Sequence, residues 1–176
     1  CSGFLRSLEA GGAKLGGRVL QIGCGGVGRM MAIEAALHGA ELTIVALPEF
    51  IAGAEEVAEE AAKLNPEAKI SVITHEEIQG EFELLMNASP VGMYPNTDNC
   101  PVPEDVVKSC KCVFEVIYNP NVTKLMSIAE KNGIPAIGGM AMLVWQAAVA
   151  HEIWNGTTCR DEDVEKIIAE MKAELT

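Results

Sequence analysis

The sequence predicts an α/β fold: a doubly wound, six-stranded parallel sheet with a flanking N-terminal helix and two C-terminal helices. Three observations predict it. Six short apolar runs are rich in Val and Ile and do not alternate with polar residues, as strands buried on both faces read. Helix-like stretches lie between most of these runs, and each ends near a Gly, Asn or Pro. Strands linked by crossover helices imply parallel pairing, with the strand order 3-2-1-4-5-6.

A first helix is expected over residues 2–10. Strands are expected at 19–22, 42–45, 70–73, 84–86, 112–117 and 134–137. Helices are expected at 27–38, 52–64, 103–109 and 123–132, the last capped by Thr123. Two more follow, at 140–154 and 161–175. In the second of these, Val164, Ile167, Ile168, Met171 and Leu175 share one face, and Asp161 is placed as its N-cap. The run 134–150 lacks charge, yet it contains Pro135, Gly138, Gly139 and Gln146. It also falls short of the roughly 20 residues that a membrane span needs, so a buried strand, turn and helix explain it. With no repeat or low-complexity tract, residues 1–176 read as one domain.

The formal net charge of −12, with Lys and Arg scattered singly, argues against nucleic-acid binding. Six cysteines without a C-x-x-C pair read as reduced thiols of a cytoplasmic protein. Cys110 and Cys112 lack a second pair, and they read as one buried and one exposed thiol at a strand edge. His38, His75 and His151 are isolated, so no metal site is expected.

Gly23-Cys24-Gly25-Gly26-Val27-Gly28 matches G-x-G-x-x-G between a strand and a helix, the context in which a Rossmann-type fold holds a dinucleotide. Gly23 permits the tight turn, Gly25 lets the backbone approach a pyrophosphate at the helix N-terminus, and Gly28 lets helix and strand pack closely. The alternative is a tight turn without a ligand. Asn87-Ala88-Ser89-Pro90-Val91-Gly92-Met93 follows the fourth strand, where a loop lines the ligand cleft of such a sheet or simply turns. Tyr118, after the fifth strand, either projects into that cleft or packs with a satisfied hydroxyl. After the sixth strand, Gly138 and Gly139 admit a flat ring, and Met142 is placed to pack on it. Gln146 is the lone polar side chain of an apolar segment, and it either meets a ligand or caps an interior carbonyl.

Together these segments resemble the shikimate dehydrogenase family. "GFLRSLEA", "IGCGGVGR", "NASPVGM", "VIYNP" and "GGMAMLVWQAA" occur in the family's order and spacing, over nearly the whole chain. The resemblance implies an NAD(P)-dependent oxidoreductase of the chorismate route to aromatic amino acids, reversibly reducing 3-dehydroshikimate, with quinate as an alternative substrate. It implies that Gly23, Gly25, Gly26, Val27 and Gly28 hold the pyrophosphate and that Asn87, Ser89 and Ile117 line the path to the nicotinamide. Gly139 and Met142 would stand at the nicotinamide, and Tyr118 and Gln146 would reach the substrate. The family's serine pair and its Lys–Asp proton-transfer pair belong to an N-terminal substrate domain, which ends just before the counterpart of Cys1. No catalytic residue is therefore expected within these 176 residues, which read as the cofactor half of the enzyme. Helices in 1–15 and 139–176 would border the substrate domain, supplied in cis or in trans, and a homodimer is compatible with this arrangement.

Two positions depart from the family. Glu115 replaces the Asp of many members, and Ala46-Leu47-Pro48 replaces Asn-Arg-Thr/Ser. The family default is NADP, whose 2′-phosphate wants a cation, but position 47 is Leu and no Lys or Arg occurs between Arg29 and Lys63. Glu49, Glu55, Glu56, Glu59 and Glu60 add a field against a dianion, so the sequence favours NAD. Glu49 either accepts the ribose 2′-hydroxyl or is solvated, and Arg29 is the one cation placed to reach a phosphate. The missing ribose-reading triplet also keeps open a non-catalytic dinucleotide-binding module or sensor.

Overall fold

In the computed structural model, described for residues 1–174, six strands form one parallel sheet in the order β3-β2-β1-β4-β5-β6. The strands are β1 (Arg18–Ile22), β2 (Glu41–Val45), β3 (Lys69–Ile73), β4 (Leu84–Asn87), β5 (Val113–Glu115) and β6 (Ala136–Ile137). Both the expected number and the expected order are observed. The central strands β1 and β4 are buried on both faces, which is why Val19, Leu20, Leu84 and Leu85 follow one another without polar alternation. β5 and β6 are shorter than the apolar runs that contain them. Pro135 has no N–H to donate, and its carbonyl accepts from Val113 N at 2.9 Å where β6 begins.

Seven helices accompany the sheet among the described residues: α1 (Ser2–Ala10), α2 (Gly26–Leu37), α3 (Ile51–Leu64), α4 (Glu104–Lys108), α5 (Lys124–Lys131), α6 (Gly139–Asn155) and α7 (Asp161–Glu174). One core layer packs Met31, Ala32 and Ala35 of α2 with Phe4 and Leu8 of α1 against Leu42, Ile44, Leu84 and Met86. The other gathers Leu20, Ile22, Leu85 and Val113 under Leu125, Ala129 and Val107 of α4 and α5. α1 and α6 lie side by side; Phe4 meets Phe114 edge-on at 5.1 Å, and Arg6 pairs with Glu152 while its guanidinium lies over the Trp145 ring.

Thr123 caps α5 by accepting from Met126 N at 3.3 Å. At α7 the expectation is corrected by one position. The helix starts at Asp161, and the Arg160 carbonyl accepts from Asp163 and Val164. The α7 face packs against α6 through Val164, while Leu175 lies outside the described residues. Short 3₁₀ turns at Pro48–Phe50 and His75–Glu77 add to the expected elements. Among the described residues, no helix is long and apolar enough to cross a membrane, and no three His, Cys, Asp or Glu are grouped to hold a metal ion.

Candidate functional site

The glycine turn joins β1 to α2 at the carboxyl end of the sheet. Gly23 takes φ 86°, a left-handed conformation that favours glycine. Gly28 is fixed by space: a Cβ there would lie 2.6 Å from Gly23 O. No side chain caps α2, whose N-cap is Gly25, and no acid sits in its first turn. The first-turn N–H groups thus remain available to an anion, with the positive end of the helix dipole behind them.

A cleft of about 430 Å³ opens over this turn. Gly25, Gly26 and Val27 form one side; Ser89, Pro90, Met93 and Tyr94 come from the loop after β4, and Ile117, Tyr118 and Asn119 from the loop after β5. Strand order reverses between β1 and β4, so the cleft stands at the topological switch point, where sheets of this kind take their ligands. None of the described residues that line it is charged. Tyr94 N donates to Asn119 O at 3.2 Å, joining the two loops.

The loops are also tied from within. Glu115 at the end of β5 is fully buried. Its carboxylate accepts from Asn87 Nδ2 at 3.0 Å to each oxygen, from Ile117 N at 3.1 Å and from Thr123 Oγ1 at 3.0 Å. Burial pushes this carboxyl up to about 7, against the opposing pull of those donors. Asn87 Oδ1 in turn accepts from Ser89 N at 3.1 Å and Ser89 Oγ at 2.7 Å.

Of the residues singled out in the sequence, Gly25, Gly26, Val27, Ser89, Ile117 and Tyr118 come together around the cleft. Tyr118 is half-exposed rather than packed, and Gln146 is exposed on α6 rather than capping an interior carbonyl. Gly23 and Gly28 shape the turn from behind. Asn87 is fully buried with its polar atoms engaged, so it acts on the loop rather than on the cleft surface. Gly139 is buried where a Cβ would strike Val116 O, and Met142 is buried in the core layer with Phe4 and Phe114.

After β2, Ala46 is buried and donates to Ile73 O, Leu47 is exposed, and Glu49 lies exposed in the 3₁₀ turn that leads into α3. Arg29 makes two bonds of 2.6 Å to Glu60 of α3, so its fork is already occupied by a carboxylate. The sequence reading missed Tyr94, which is exposed at the cleft, and Gln21, a buried polar side chain on β1. A polar residue inside an otherwise apolar strand was the signal for Gln21.

No protein-family model matches the chain. Shikimate dehydrogenase (NADP(+)) from Methanopyrus kandleri is 35% identical over 175 residues, covering 96% of this chain and 60% of that protein. Shikimate 5-dehydrogenase from Listeria monocytogenes, solved in complex with shikimate and NAD, matches with a TM-score of 0.82 and 28% identity, over 94% of this chain and 61% of that one. Shikimate 5-dehydrogenase from Thermus thermophilus, solved with NADP(H) and shikimate, gives a TM-score of 0.80 and 28% identity, over 96% of this chain and 60% of that one. The chain spans between 35% and 61% of the length of such curated relatives. Similar to these proteins over nearly all of its length in both sequence and fold, the chain belongs to the shikimate dehydrogenase family and corresponds to its NAD(P)-binding domain.

Proposed function

We propose that the chain is the cofactor half of a shikimate dehydrogenase-type oxidoreductase, interconverting 3-dehydroshikimate and shikimate on the route to chorismate and the aromatic amino acids. The observation that carries this reading is the uncapped N-terminus of α2, presented by the glycine turn to an uncharged cleft at the switch point. When bound, NAD(P) exchanges a hydride with the substrate carbon. The N–H groups of Gly25, Gly26 and Val27 face its pyrophosphate, Gly23 and Gly28 hold the turn, and Ser89 and Ile117 form the wall towards the nicotinamide. Asn87 sets the Ser89 loop, while Gly139 and Met142 support that wall from behind. Tyr118 and Gln146, both reaching solvent, contact a small polyol acid of the shikimate or quinate type. Residues 1–176 act as one nucleotide-binding domain of a cytoplasmic enzyme. Helices in 1–15 and 139–176 border a substrate domain, in cis or in trans, that supplies the proton-transfer pair.

NAD is favoured over NADP. Leu47 offers no cation, Arg29 is held by Glu60, and Glu49 is free to meet a ribose hydroxyl. Titration of the purified chain with NADH and NADPH, followed by nicotinamide fluorescence, is expected to give the tighter constant for NADH. Tighter NADPH binding that is lost in Arg29→Ala would reverse the preference and make Arg29 the phosphate contact. A second reading, a nucleotide-binding module without catalysis, is favoured by the apolar Ala46–Leu47 step. It separates from the first by reconstitution with a substrate domain.

A further inference from the structure

Gln21 has no exposed surface and sits on β1 between Ile44 of β2 and Met86 of β4. Its Nε2 donates to Gly23 O and to Gly28 O, both at 2.9 Å, one carbonyl at each end of the glycine turn. Its Oε1 is buried with no hydrogen-bond partner among the described residues. The opposite amide orientation would set that oxygen against both carbonyls, so the side chain is committed to this one. A buried acceptor without a partner disfavours the folded state; an apolar side chain of similar length would remove it, but would also take the donor from both carbonyls. The double donation does something an apolar residue would not. It clasps the first and last glycines of the turn, and the N–H groups between them are held in one geometry before any ligand arrives.

We propose that Gln21 is a positioning residue for dinucleotide binding, setting the shape of the Gly23–Gly28 turn. The inference rests on the nucleotide-binding reading above. Gln21→Leu and Gln21→Met remove the clasp together with the orphan acceptor. Both are expected to weaken NADH and NADPH by about tenfold each, the loss of two neutral hydrogen bonds. The ratio of the two affinities stays constant, because the turn meets the pyrophosphate they share. Amide exchange at Gly25 and Gly26 in the ligand-free chain should quicken.

Unchanged affinities in the variants, with the unmodified chain binding normally, would overturn the inference. If the unmodified chain binds neither nucleotide, the nucleotide reading fails by itself. The exchange rates at Gly25 and Gly26 still decide the role of Gln21, and equal rates in all three chains would refute it.

Discussion

Purified and given shikimate with NAD or NADP, the chain is expected to reduce no nicotinamide above background. Its cleft offers backbone N–H groups, hydroxyls and apolar wall, but no charged side chain among its described lining residues. Oxidation of an alcohol needs a group to take its proton, and general acid–base catalysis contributes about 10²–10⁴-fold. Without a facing domain to orient the substrate, the advantage of a held near-attack geometry is lost as well. Adding a separately expressed substrate domain with the family's Lys–Asp pair is expected to restore turnover. Turnover by the chain alone would mean that its own residues move the proton. Nucleotide binding without any restored turnover would favour the non-catalytic module.

The second large effect concerns Glu115. Removing its carboxylate in Glu115→Ala strands the buried Ile117 N–H and Thr123 hydroxyl and leaves the Asn87 amide only its 3.4 Å bond to Val91 O. Each unpaired group costs about 1–3 kcal/mol, so a loss of roughly 3–5 kcal/mol is expected in urea denaturation. The pH dependence has a definite sign. Burial raises the folded-state value from an ordinary 4.5 to about 7, so the folded chain binds this proton more tightly than the unfolded one. The contribution is full below pH 4.5 and is lost as pH rises through about 7, amounting to roughly 3 kcal/mol. Glu60, Glu77 and Glu152 are held below the usual carboxylate range by hydrogen bonds to Arg29, Thr74 and Arg6, and they act in the opposite direction. The informative quantity is therefore the difference between variant and unmodified chain. Glu115→Gln should lose the downward component between about pH 4.5 and 7, and parallel profiles for the two chains would reject the assignment.

Much of the scaffold was legible because it rests on local chemistry. The apolar runs around Val19, Leu42 and Leu84 dictate strands buried on both faces, and Gly23 to Gly28 dictate a turn into a helix. Thr123 was readable as a cap because its hydroxyl bonds three residues ahead. The roles of Asn87 and Glu115 were not legible, since their partners are 28 residues apart and meet only through β4–β5 pairing. Arg29 is similar. Its nearness to the glycine turn is plain in the sequence, whereas its capture by Glu60 depends on how α2 packs on α3. Met142 shows the limit of motif reading, because an apolar residue beside two glycines serves the core as readily as a ligand.

The buried carboxylate has a further consequence, for the way the chain opens. One group holds the end of β4, the end of β5 and the cap of α5, so none of these segments can fray without releasing the others. The amides of Ser89, Ile117 and Met126, scattered in sequence, are then expected to share one opening free energy in native-state hydrogen exchange. In Glu115→Gln they should separate into independent steps, with Ser89, nearest the surface, exchanging first.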